Sequence, residues 1–146
     1  MPTSAAMNRL MLFAPLLLSV ACAGFEVHPV QPSAEGSVAE VQVQLDPALG
    51  EDRREALVDY DAVRHMREAL RGSLAAGEGP ALRVTITEFR NGSFGPTRMR
   101  ARADLVAPDG AVLRSVEADS TTMRGGTTKK ARRVAQDVVE QIVRQI

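Results

Sequence analysis

The sequence predicts an α+β fold: a two-layer sandwich in which a mostly antiparallel four-stranded sheet carries two helices on one face. Two observations predict it. Four segments alternate apolar and polar residues, as half-buried strands do, and two longer segments repeat apolar residues every three or four positions, as amphipathic helices do. Their order along the chain is β-α-β-β-β-α. Because each element has one apolar side, layering the helices on the sheet buries both.

The first two elements are a strand and a long helix. In residues 41–45 valine and leucine alternate with glutamine, and Asp46 with the following proline ends this strand. Over residues 54–76 apolar side chains recur at helical spacing while charged ones face away. Residues 77–80 contain two glycines and a proline, which are typical of a helix end. The helix is therefore expected to stop there.

Two further strands flank a turn-rich loop. They are predicted at residues 82–89 and 98–105, and the loop at residues 91–96. The third strand places alanine, methionine and leucine on one side and polar residues on the other. Its polar side includes three arginines: Arg98, Arg100 and Arg102.

The last strand and the second helix follow a tight turn. Ala107-Pro108-Asp109-Gly110 is typical of a hairpin turn and leads into a strand over residues 112–122. Leu113 interrupts the alternation in that strand, which indicates a bulge. After two glycines, the second helix is expected to begin at Thr127 or Thr128.

The N-terminus has the pattern of an export signal. Arg9 precedes an apolar run over residues 10–20 that ends in small residues, so residues 1–21 are predicted to be a signal peptide. The run is shorter than the roughly 20 apolar residues that a membrane-spanning helix needs. The chain is therefore expected to be exported from the cytoplasm.

Cys22 marks the end of this leader and permits two interpretations. Leu18-Ser19-Val20-Ala21-Cys22 resembles a bacterial lipobox, although Ser19 stands where that pattern prefers leucine; the cysteine would then carry the lipid. Alternatively, ordinary signal peptidase would cut after Ala23 and release a soluble periplasmic protein. Lipid attachment at Cys22 is the prediction that we carry forward.

The rest of the chain is predicted to comprise a tether and one domain. Residues 22–37 contain prolines, glycines and serines without a hydrophobic period, which predicts a lipidated N-terminus followed by a flexible tether. Residues 38–146 are predicted to form a single α/β domain.

Composition argues against several classes of function. Lysine plus arginine and aspartate plus glutamate are equal at 18 each, and aromatic residues make up 3%, so nucleic-acid binding is not expected. One cysteine and two histidines offer little for a metal centre or a nucleophile with its base. No metal, no cofactor and no enzyme activity are predicted.

Two groups of basic residues are candidate binding sites. One surrounds the start of the second helix: Arg124, Lys129, Lys130, Arg132 and Arg133. Cations at a helix N-terminus oppose the helix dipole, which indicates either an anion-binding site or side chains extended into water. The other group is Arg98, Arg100 and Arg102, which would contact a partner or form cross-strand charge pairs on a solvated sheet face.

Four features carry a resemblance to a known family. They are Cys22, the V-T-I-T-E-F-R run of residues 84–90, the hairpin at residues 107–110, and Gly125-Gly126-Thr127-Thr128. With them, the chain resembles a family of bacterial envelope lipoproteins of domain-of-unknown-function type found in proteobacteria. Alanine rather than aspartate after the cysteine would imply the outer membrane, with the domain facing the periplasm.

This resemblance implies a non-catalytic envelope lipoprotein whose periplasmic domain binds a protein or glycan partner. The membrane itself would be contacted through the lipid anchor. Two other functions remain open from the sequence. One is an accessory structural subunit of an envelope export or secretion assembly, and the other is a soluble periplasmic anion-binding protein.

Overall fold

The structure, a computed structural model, describes residues 24–31 and 37–146. That part of the chain contains β1 (Ser37–Leu45), α1 (Glu51–Asp59), α2 (Ala62–Ser73), β2 (Ala75–Asn91), β3 (Thr97–Val106), β4 (Val112–Thr122) and α3 (Thr127–Gln145). The strands form one sheet in the order β1-β2-β3-β4, in which β1 and β2 are parallel and the other pairs antiparallel. The predicted α+β fold with a mostly antiparallel four-stranded sheet is confirmed.

The helices α2 and α3 form the second layer. They contact each other and pack on one face of the sheet, α2 against β1 and α3 against β3 and β4. Buried aliphatic side chains, among them Leu70, Val84 and Val138, fill the space between the layers. The opposite face of the sheet carries mainly polar and charged residues, as expected for an antiparallel sheet with one covered face.

The prediction of a single helix over residues 54–76 is wrong. Two helices, α1 and α2, occupy this part of the chain. The break lies at Tyr60 and Asp61, where Asp61 has a left-handed backbone with φ of 52°. Their amides bond to the carbonyl oxygens of Ala56 and Val58 and so close α1. Aspartate tolerates this conformation better than most residues. The apolar spacing continues through the break, which explains why the sequence pattern does not reveal it.

The predicted helix end at Gly77, Gly79 and Pro80 is also wrong, since these residues lie within β2. The pairing of β1 with β2 shifts there: Val38 is opposite Ala76, but Glu40 is opposite Ala81. The extra residues of β2 form a bulge. A side chain at Gly79 would bring its Cβ within 2.6 Å of the Ser37 carbonyl oxygen, so the glycine permits a close backbone approach.

The turn between β3 and β4 agrees with the sequence prediction. The Gly110 amide donates to the Ala107 carbonyl at 2.8 Å, and Gly110 has φ of 90°. Leu105 is opposite Arg114 and Val106 is opposite Val112, so Leu113 is the extra residue of a bulge. The predicted bulge is confirmed.

Residues 24–31 pack on the helical layer, and the predicted flexible tether is wrong for them. Phe25 and Val27 are part of the core. The Val30 amide donates to Ser73 Oγ at 2.7 Å, and the His28 backbone bonds to the Gln136 side chain through both its amide and its carbonyl. A Phe-x-Val pair is too short to produce a recognisable hydrophobic period. The signal peptide, Cys22 and residues 32–36 lie outside the described residues.

Candidate functional site

The basic residues at the start of α3 divide into one buried lysine and several exposed cations. Lys130 is 2% exposed, and its Nζ donates to the carbonyl oxygens of Gly92 and Gly95, each at 2.8 Å. It therefore fastens the loop between β2 and β3 to α3. The prediction that Lys130 contacts a partner is corrected, because its ammonium group is already bonded inside the fold.

Lys129, Arg132 and Arg133 line a groove of about 610 Å³ between α3 and residues 24–31. Acidic side chains line the same groove: Glu26, Asp137 and Glu140. The lining thus contains three cationic and three anionic side chains, so the net charge of the groove is close to zero. Such a lining suits a partner with both charges better than a simple anion.

The N-terminus of α3 has no side chain that caps it. Gly126 occupies the N-cap position, and the first turn contains no acidic residue. Arg124 is exposed just before it, and the Lys129 side chain passes over Gly125, where an added Cβ would lie 2.9 Å from the Lys129 Cδ. The cations thus stand near amides that carry the positive end of the helix dipole.

The arginines of the open sheet face lie among carboxylates. Arg98 Nη2 is 3.2 Å from Asp119 Oδ2, and Arg100 is opposite Glu88 on one side and Asp119 on the other. Arg102 donates to both carboxylate oxygens of Asp104 at 3.1 Å. The three arginines therefore take part in a mixed-charge lattice rather than a purely positive stripe.

Asp104 is the most buried carboxylate of this lattice. Burial raises the pKa of its carboxyl, but hydrogen bonds from Arg102 and Ser115 and the charges of Arg102 and Arg83 outweigh it, so the pKa lies below the usual 3.8. The hydrogen bond to Asp104 and its negative charge in turn raise the pKa of Arg102. Asp104 is thus held ionised and serves to hold β3 and β4 together.

The two histidines of the chain lie apart. His65 packs edge-on against the Phe25 ring, at 5.8 Å between centroids, and its Nε2 is 3.3 Å from an Arg64 nitrogen. His28 is exposed, and its backbone bonds to Gln136. Within residues 24–31 and 37–146, no cluster of three potential metal ligands is present. None of the helices in this part of the chain is long and apolar enough to cross a membrane.

Sequence reasoning missed two exposed apolar residues near α3. Phe94, in the loop between β2 and β3, is 101% exposed, and Met123, in the loop between β4 and α3, is 65% exposed. An aromatic residue within the Asn-Gly-Ser-Phe-Gly-Pro loop was the available signal, because such loops usually carry small polar residues.

Comparisons with known proteins show structural similarity at low sequence identity. The PelC dodecamer from Paraburkholderia phytofirmans is 17% identical over 75% of this chain and 92% of its own, with a TM-score of 0.39. Protein XCC0632 from Xanthomonas campestris, of family DUF330, is 15% identical over 82% and 89%, with a TM-score of 0.43. A minor lipoprotein from Acinetobacter baumannii is 16% identical over 73% and 91%, with a TM-score of 0.37. No protein-family model and no curated protein matches the chain.

Proposed function

We propose that this chain is a non-catalytic lipoprotein of the bacterial cell envelope, anchored through Cys22, whose domain binds an envelope protein or a glycan. The observation that carries the proposal is the junction between leader and fold. An apolar run with small residues leads to Cys22, and Phe25, three residues later, already belongs to the core. A lipid on Cys22 would thus hold the folded domain directly at the membrane.

The junction also agrees with processing of the leader. Cleavage before Cys22 or after Ala23 would keep Phe25 and Val27, which the core requires. Alanine at position 23 favours the outer membrane as the final location, with the domain in the periplasm.

The described side chains support a non-catalytic role. A general base needs a partner that orients it and a nucleophile within hydrogen-bond reach. His65 instead lies beside the cationic Arg64, and the hydroxyls of Ser73 and Ser115 donate to a backbone carbonyl and to Asp104. These contacts serve the fold.

The open sheet face is the surface that we assign to the partner. Its arginines are neutralised by Glu88, Asp104 and Asp119, yet all three arginine side chains remain at least partly exposed. Paired charges of this kind give specificity toward a polar surface more than attraction to a free anion. Together with the burial of Lys130, this arrangement favours a protein or glycan over the anion-binding alternative.

Lipid attachment is tested in bacterial cells that express the full chain with a clickable palmitate analogue. We expect labelling of the wild-type protein and its recovery in the outer-membrane fraction, while Cys22→Ala abolishes both. Mass spectrometry of the N-terminal peptide then identifies the acyl groups. A mature N-terminus at Gly24 without lipid would refute the lipoprotein assignment.

Partner binding is tested with a photo-crosslinking amino acid placed at Arg100, on the open sheet face. A matched probe at Arg144, exposed on α3, is the control. We expect a discrete crosslinked product from position 100 and none from position 144. Equal products from both positions, or none from position 100, would contradict assignment of the partner to the sheet face.

A further inference from the structure

Two loops that carry exposed apolar side chains leave the same end of the sheet. Thr97, the first residue of β3, is opposite Asn91 on one side and Thr122 on the other. The loop after Asn91 contains Phe94, and the loop after Thr122 begins with Met123. The two loops therefore leave the sheet on either side of the start of β3, and both side chains are mostly in water.

The fold holds the Phe94 loop from several directions. Lys130 binds the carbonyls of Gly92 and Gly95, as described above, and Asn91 Nδ2 donates to Tyr60 Oη at 3.0 Å. Thr97 Oγ1 donates to Asn91 Oδ1 at 2.9 Å. A buried lysine thus holds in place a loop whose aromatic side chain is fully exposed.

Phe25, near the start of the described segment 24–31, lies at this same end. The Phe25 ring stacks on Tyr60, with centroids 5.2 Å apart, and Tyr60 bonds to the base of the Phe94 loop. Phe25 is the third residue after Cys22 in the sequence, so a lipid on Cys22 would be joined to the domain through the segment that begins at this end.

Two exposed cations lie near Met123. Arg124 follows Met123 directly, and Lys129 lies one residue before the lysine that holds the loop. Acidic side chains are present on the flanks: Glu26 lines the same groove as Lys129, and Asp52 lines a pocket with Asn91 and Gly92 at the base of the loop. Apolar side chains bordered by lysine and arginine are the composition that proteins use at the boundary between headgroups and acyl chains.

We propose that this membrane-facing end, defined by Phe94, Met123, Arg124 and Lys129, rests on the phospholipid bilayer that holds the anchor. Phe94 and Met123 enter the acyl boundary, and Arg124 and Lys129 contact phosphate groups. The proposal rests on lipid attachment at Cys22. It adds that the anchored domain has one orientation, with its open sheet face left accessible from the side.

The other end of the sheet provides a matched control. Leu113 is 62% exposed there, and β3 has 10 residues, which separates the two ends by about 30 Å. A bilayer that contacts Phe94 therefore leaves Leu113 in water. In a domain that rotates freely about its anchor, both positions would contact the bilayer equally often.

The experiment uses the absence of tryptophan from the sequence. Full-length Phe94→Trp and Leu113→Trp proteins are produced in cells, purified with their lipid, and reconstituted in phosphatidylethanolamine and phosphatidylglycerol vesicles, with or without brominated acyl chains. Mass spectrometry first establishes acylation of Cys22. We expect bromine to remove about half of the indole emission of Phe94→Trp and to leave that of Leu113→Trp unchanged.

The outcomes separate the two proposals. An acylated protein in which Phe94→Trp is not quenched, or in which both variants are quenched equally, overturns the membrane-facing end and leaves the lipoprotein assignment intact. An unmodified Cys22 overturns both. Stronger quenching of Leu113→Trp would mean that the opposite end faces the bilayer, which also overturns the proposal.

Discussion

The loops at the two ends of β3 are held in different ways. The turn at residues 107–110 is held by its own neighbours: Gly110 donates to Ala107, and Asp109 Oδ1 accepts from the Ala111 amide at 3.0 Å. The loop at residues 91–96 is held by Lys130, which lies 35 residues or more away in sequence. The first loop therefore depends on local residue chemistry, whereas the second depends on the position of α3.

This difference affects how each loop positions its exposed side chains. A local turn forms because its own residues favour the required backbone angles, and the turn type sets the directions of its side chains. A loop fastened by a distant buried cation keeps its shape only when both layers of the sandwich are in place. Exposure of Phe94 is therefore a product of the complete fold, which is what a surface that contacts a membrane or partner requires.

Among the variants that test this comparison, Lys130→Met should have the largest effect on stability. Methionine fills the space but cannot donate, so the carbonyls of Gly92 and Gly95 lose a charged donor. We expect a decrease of about 2–3 kcal/mol in the free energy of unfolding, measured by urea denaturation. Lys129→Met, one residue away and exposed, should change it by less than about 0.5 kcal/mol. Equal effects of the two variants would mean that Lys130 does not hold the loop.

Asp104→Asn tests the end of the sheet near the tight turn. The amide weakens the bonds to Arg102 and Ser115, so we expect a loss of about 1–2 kcal/mol at pH 7. The pKa of Asp104 in the fold lies below 3.8, its value when unperturbed. Its stabilising contribution is thus complete well above that pH and is lost as the pH falls through the folded-state pKa.

The pH dependence provides the control for this variant. Between about pH 5 and pH 2, the stability of the wild-type protein should fall more steeply than that of Asp104→Asn, and the two curves should converge. Parallel curves over this interval would show that the carboxylate is not the origin of the effect.

Gly110→Ala and Gly95→Ala compare the two loops directly. Gly110 has φ of 90°, which an L side chain rarely adopts, so alanine should cost about 1 kcal/mol. At Gly95 an added Cβ meets nothing within 4 Å, and its φ is not positive, so alanine should be neutral or slightly stabilising. Urea denaturation of both variants measures the two changes in the free energy of unfolding. A larger loss for Gly95→Ala than for Gly110→Ala would contradict the stated difference between the loops.

Lys129→Glu should have the smallest effect on stability. The first turn of α3 has no acidic residue, and a carboxylate near its free amides improves the interaction with the helix dipole. We expect a gain of about 0.5 kcal/mol at low salt that decreases in roughly 0.5 M NaCl, measured by thermal unfolding. A loss of stability would mean that the contact of Lys129 with Gly125 outweighs the dipole.

Features governed by local chemistry were accessible from the sequence. Alternation in residues 82–89 and 98–105 predicted the central strands, the Pro-Asp-Gly turn predicted the hairpin, and the interruption at Leu113 predicted a bulge. Each of these depends on the residue itself and its near neighbours. The mixed charges around Arg100 were likewise visible as alternating signs on adjacent strands.

Other features were decided by tertiary contacts. The sequence pattern continues through the break at Asp61, because Leu57 on α1 and Met66 on α2 are both buried and no apolar residue marks the change of backbone direction between them. Phe25 and Val27 lie in a segment without a hydrophobic period, and only its packing on the helical layer makes them core residues. Lys130 is indistinguishable from Lys129 in the sequence, yet one helical step of about 100° turns its ammonium group from water to two carbonyls in a distant loop. Burial depends on the elements that meet around a residue, and a linear pattern does not contain that information.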